Sequence, residues 1–146
     1  MAHMVEINDS KDGLLTVTLP MLLDEISPSG EKLHWSIFYL SATGDLGDDR
    51  SIVDFENEIS DSDKGCFLSW NELKNLSVKF DQVFDTLIVG AANKEDIKKY
   101  DDDENLYSNF DVVLDLFDGA YWRVYSEDDS VIKKMANKFS EVKLSR

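Results

Sequence analysis

The stretch Phe110–Phe139, FDVVLDLFDGAYWRVYSEDDSVIKKMANKF, constrains the fold more than any other part of the chain. Phe110, Val112, Leu114 and Leu116 alternate with Asp111, Val113, Asp115 and Phe117, the period of a strand with one face on a core. Asp118-Gly119 follows, the pair a type I′ turn requires, because both central residues take positive φ. Ala120–Tyr125, dense in Tyr, Trp and Val, predicts the returning strand. Ser126, with Asp129 three residues on, reads as a helix cap. Val131, Ile132, Met135, Ala136 and Phe139 then fall on one face of that helix. A hairpin covered by a helix is therefore the unit around which the other segments pack.

Those other segments alternate between strand and helix signals. Met1–Met4 reads as an expression scar, which leaves 5–146 as a single domain. Residues 5 to 13 are polar and read as a loose start, and Leu14–Leu19 alternates as a strand. Pro20 opens a short helix over Met21–Ile26, since Pro is tolerated in a first helical turn. Lys32–Ser41 predicts a strand with Leu33, Trp35, Ile37 and Tyr39 on one face. Ser51 caps a helix with Phe55 and Ile59 on its apolar stripe. Ser69 and Glu72 form a capping box for a helix reaching about Phe80, and Leu68 and Leu73 sit at its staple positions. Val83–Ala92 is a β-branched apolar run, read as a buried central strand in which Gly90 marks a close backbone approach. Asn93 and Asp96 read as the cap of a short helix to about Tyr100, and Val142–Leu144 as a last strand. The class is α+β: a mixed, largely antiparallel sheet of about five or six strands with helices packed on it.

Charge narrows the function. Thirty acids against 15 bases leave a net −15, with an isoelectric point near 4.3. Such a surface repels nucleic acid and anionic lipid and attracts basic partners. Cys66 is the only cysteine, so no disulfide framework or cysteine zinc cluster is available, and the acids around it disfavour a thiolate. No apolar run approaches the ~18 residues of a membrane span, and a cytoplasmic protein is the simplest expectation. His34 lies mid-strand with no nucleophile pattern beside it, and no phosphate loop, GxSxG or HExxH occurs. The expectation is a protein that is not an enzyme and carries no cofactor.

Three groups of residues remain as candidates. Asp61–Glu72 resembles an EF-hand loop at its first, third, eighth, ninth and twelfth positions, which would make Asp61, Asp63 and Glu72 calcium ligands. Cys66 stands where the sharp turn needs Gly, Gly65 offers no side-chain oxygen, and Ser69 and Glu72 already serve the capping box, so the metal assignment is none. The acidic loops Asp45, Asp48 and Asp49, and Asp101, Asp102, Asp103 and Glu104, have no capping duty and are expected to face a partner. Trp122 joins them: a strict two-residue turn puts it opposite Asp115 on a mixed face, whereas a bulge would return it to the core.

Three stretches, GCFLSWNEL (Gly65–Leu73), FDTLIVG (Phe84–Gly90) and DGAYWRVYSEDDSVI (Asp118–Ile132), give the chain an overall look that is similar to immunity proteins of bacterial polymorphic toxin and contact-dependent inhibition systems. The resemblance covers about half of the chain, through core and turn signals. It implies a small cytosolic protein that binds one cognate toxin and blocks it, and it assigns no contact residue. An acidic protein filling the basic cleft of a nuclease-type toxin fits the charge. The alternatives are a calcium-responsive module using the 61–72 loop and a small hydrolase using scattered carboxylates.

Overall fold

A computed structural model describes residues 3–47, 50–101 and 107–145. Seven strands form one sheet in the order β5-β4-β6-β7-β8-β1-β9: β1 Met4–Ile7, β4 His34–Gly44, β5 Cys66–Leu68, β6 Phe80–Ala91, β7 Val112–Phe117, β8 Tyr121–Ser126 and β9 Val142–Ser145. Every pairing in it is antiparallel. A separate small hairpin joins β2 Ser10–Lys11 to β3 Leu14–Leu15. The fold is α+β, and the mixed sheet expected from the sequence is antiparallel throughout and larger by β1, which the polar start concealed.

β1 carries only two apolar residues on its inner face, Val5 and Ile7, both fully buried. It is held between β8 and β9, and His3 continues its pairing by donating to Ser145 O and accepting from Ser126 N. Met4 thus belongs to the sheet, and His3 extends its hydrogen bonding by one residue. The Leu14–Leu19 run also departs from expectation: its strand stops at Leu15, and Thr18 becomes the N-cap of α1, Leu19–Ile26, with Pro20 in the first turn.

Four helices cover one face. α1 buries Leu19, Leu22, Leu23 and Ile26. α2, Ile52–Asp61, buries Phe55 and Ile59. α3, Trp70–Ser77, buries Trp70 and Leu73. α4, Asp129–Lys138, buries Val131, Ile132 and Met135. They pack on Trp35, Ile37, Leu114, Leu116, Trp122 and Val124 of the sheet. Gly90 lets β6 pass beneath Trp35, since a Cβ there would meet the indole at 2.9 Å. The second face is shorter. Phe38, Val89, Ala91 and Val113 are covered by Ile97 and Phe110, with Tyr100, Tyr107 and Tyr125 packed against them.

Local register explains the remaining differences. Ser126 is the last residue of β8; its Oγ accepts from Asp128 N at 3.0 Å, and Asp128 is the true N-cap of α4. α3 ends at Ser77 because Phe80 already pairs with Gly44. Asn93 makes no side-chain cap, and only a 3-10 turn, Lys94–Asp96, forms before Tyr100. A register shift after Ile37 leaves Tyr39 48% exposed and turns Leu40 to the helix-covered face instead. Phe110 precedes β7 and packs edge-on against Phe38, on the face opposite Val112.

Candidate binding surface

The organising hairpin closes as its sequence requires, with one residue added. Asp118 and Gly119 have φ of 51° and 64°, and Ala120 N donates to Phe117 O at 2.8 Å. Ala120 is the extra residue, so Phe117 pairs with Tyr121 and Leu116 with Trp122. That bulge returns Trp122 to the core face. It is 1% exposed, and its Nε1 donates to Val17 O at 2.9 Å. Trp122 is a core residue and does not lie on an exposed mixed face.

Most of the described acids are exposed, and few of them are ion-paired. Among the described residues, Arg50 meets Glu58 at 3.4 Å, Lys143 meets Glu6 at 3.8 Å, and a protonated His3 would meet Asp129 at 3.5 Å. Other cations are directed to carbonyls or rings. Lys99 Nζ donates to Ile59 O at the end of α2, and Lys134 Nζ donates to Ser27 O. Lys94 lies over Phe67 and Lys98 over Tyr100. Several carboxylates accept backbone N–H groups: Asp9 from Ser140 and Glu141, Asp111 from Ala92, and Asp85 from Asp118. These contacts engage lysines and carboxylates separately, without pairing them to each other.

Asp45 and Asp101 are both exposed, in different surroundings. Asp45 is not free of local duty, because its Oδ1 accepts from Gly47 N at 2.9 Å. Asp101 follows Lys99, whose N–H donates to Asp63 O at 3.0 Å, so the 98–101 segment adjoins the 61–65 loop. Asp48, Asp49, Asp102, Asp103 and Glu104 lie outside the described residues.

The EF-like loop is organised by its caps. Asp61 is the last residue of α2, Cys66–Leu68 pairs with β4, and Glu72 Oε1 accepts from Ser69 N at 2.9 Å. That backbone hydrogen bond, seconded by the Ser69 side chain, holds the Glu72 carboxyl below its usual range. Asp61, Asp63 and Glu72 are not gathered into one set; among the described residues no group of three or more His, Cys, Asp or Glu is placed to hold a metal. Burial, the larger effect, pushes the Cys66 thiol up against the opposing field of Arg50. His34 is exposed at the start of β4.

One concavity was not foreseen. A cleft of about 580 Å³ opens at the end of the sheet where the helix layer stops, within the range of small-ligand and side-chain pockets. Its walls are the β2–β3 hairpin with the start of α1, and the junction from α3 to β6. Leu116, Trp122 and Val83 are among its lining residues. Leu14 and Val78 stand 66% and 70% exposed at its edge. The signals were faint: Asp12-Gly13 as a second tight turn, and Val78 as a lone apolar residue past the end of a helix.

No helix among the described residues is long and apolar enough to cross a membrane. No family model, curated protein or solved structure matches the chain.

Proposed function

We propose that this chain is an immunity protein of the cytoplasm, which binds a basic, nuclease-type toxin domain and neutralises it by occupying the cleft where phosphates would sit. The observation that carries the reading is the deployment of charge. The chain holds a net −15, and among the described residues Lys99 and Lys134 are directed to carbonyls and Lys94 and Lys98 to aromatic rings, while ion pairs to carboxylates are few. Self-repulsion of this kind lowers stability, and a basic partner relieves it. Complementary fields raise association rates and penalise wrong partners, which an inhibitor of one toxin requires. The likeness of Gly65–Leu73, Phe84–Gly90 and Asp118–Ile132 to immunity proteins points the same way.

The test is co-expression with a basic toxin domain encoded immediately upstream, followed by a pull-down. Restored growth and a stoichiometric complex are expected. A toxin that kills equally with and without this chain would refute the reading.

A further inference from the structure

Acids from several segments meet at the open end of the sheet. Asp81 lines the cleft directly. Asp118 precedes the lining Gly119, and Asp12 lies two residues before the lining Leu14. Asp85 is tied to this corner by accepting from Asp118 N at 2.8 Å. Asp45 N donates to Lys79 O at 3.2 Å, which sets Asp45 beside the wall formed by Val78 and Phe80. The cations of the same segments are Lys11 and Lys79. Asp12, Asp81 and Asp118 are exposed, and their carboxylates have no hydrogen-bond or ion-pair partner among the described residues.

The cleft itself is poorly suited to a small ligand. Orienting a small molecule takes convergent buried polar groups. Here the Trp122 indole is committed to Val17 O and the Ser77 hydroxyl to Lys74 O. Leu14 and Val78 project outward at the edge, where they extend the apolar contact beyond the cavity. An apolar centre within a charged rim is the anatomy of a protein interface.

The geometry points to this cleft as the partner's seat: it takes an apolar side chain carried on a basic segment of another protein, whose lysines or arginines stand against Asp12, Asp81 and Asp118. The inference rests on the reading that the chain neutralises a basic protein domain, and it places the contact at the β2–β3 and β7–β8 turns. Asp101, whose segment adjoins the 61–65 loop, then steers encounter from outside the contact. Val17, Leu116 and Trp122 already form the floor, so the fold needs no rearrangement to admit the anchor.

Two probes test it. The first is a synthetic amphipathic peptide with leucines on one face and lysines on the other, titrated into the isotope-labelled chain. Shifts should concentrate at Leu14, Val17, Val78, Val83 and the Trp122 indole. The double variant Leu14→Asn, Val78→Asn, which removes apolar contact at the mouth without changing the charge, should weaken binding by about tenfold. Both positions are exposed, so the unfolding midpoint should be retained, and Val78→Ile should bind like wild type. Shifts scattered over the acidic loops, or equal affinity of the folded double variant, would overturn the cleft.

The second probe is a basic toxin domain whose gene adjoins the gene of this chain. A faster off-rate for the double variant supports the cleft. Equal binding of wild type and double variant removes the cleft and leaves the neutralisation reading standing. Absence of wild-type binding overturns that reading and the cleft's role with it, and the peptide map tells the two failures apart.

Discussion

Gly119 and Gly90 resist a side chain for opposite reasons. At Gly119 no atom lies within 4 Å of a built Cβ, but φ is +64°, so the cost of Gly119→Val is conformational, about 1–2 kcal/mol. Gly119→Asn should recover much of it, because Asn tolerates the left-handed region. At Gly90 a Cβ meets the Trp35 ring at 2.9 Å, and that indole is pinned by its bond to Gly30 O. Gly90→Ala should therefore cost about 1–3 kcal/mol as overpacking, with no rescue by Asn. Denaturant midpoints of Gly119→Val, Gly119→Asn, Gly90→Ala and Gly90→Asn separate the two mechanisms. The capping box gives a second residue-scale prediction. Ser69→Ala should destabilise by about 1 kcal/mol. Because the Glu72 carboxyl is held below its usual range in the folded chain, its contribution is present above the ordinary value near ~4.3 and is lost as pH falls through the folded one. The stability gap between wild type and Glu72→Ala should thus close on acidification. Melting temperatures in calcium and in chelator should coincide; a calcium-dependent rise abolished by Glu72→Ala would establish a metal loop after all.

The hairpin at Asp118-Gly119, the caps at Ser51 and Ser69 and the close approach at Gly90 were legible in the sequence because each is decided within a few residues. What was illegible depended on counting across partners. Ala120 is one extra residue in a turn, and it alone moves Trp122 from the row of Asp115 to the row of Leu116. The shift after Ile37 does the same for Tyr39 and Leu40. β1 is only four residues, MVEI, running into the polar Asn8–Gly13, and its pairing with β8 and β9 makes Val5 and Ile7 core. The cleft is further still from local signal, since it is the gap left where helices end. The consequence for Trp122 is measurable. Trp122→Phe keeps most of the buried ring but leaves Val17 O without its donor, a loss of about 1–3 kcal/mol for a buried acceptor. A denaturation curve indistinguishable from wild type would show that this bond does not anchor the segment leading into α1.

Across the whole molecule, helices pack on one face of the sheet, and a shorter aromatic layer on the other. Around that frame the acids outnumber the bases two to one, 30 against 15. Salt should therefore raise the melting temperature of the isolated chain by screening repulsion, most steeply below ~0.15 M, where the Debye length exceeds about 8 Å. The same field should govern encounter with a partner. The most direct measurement is the association rate with a basic toxin domain, one whose gene adjoins the gene of this chain, as a function of ionic strength, for wild type and for the Asp101→Asn, Asp102→Asn, Asp103→Asn variant. Wild type should associate at on the order of 10⁸ M⁻¹s⁻¹ at low salt and slow steeply as salt rises. The variant should be slower and flatter in its salt dependence, with folding stability unchanged or slightly higher. Failure of wild type to associate at micromolar concentration, or a rate indifferent to salt, would contradict the claim that this acidic surface exists to meet a basic protein.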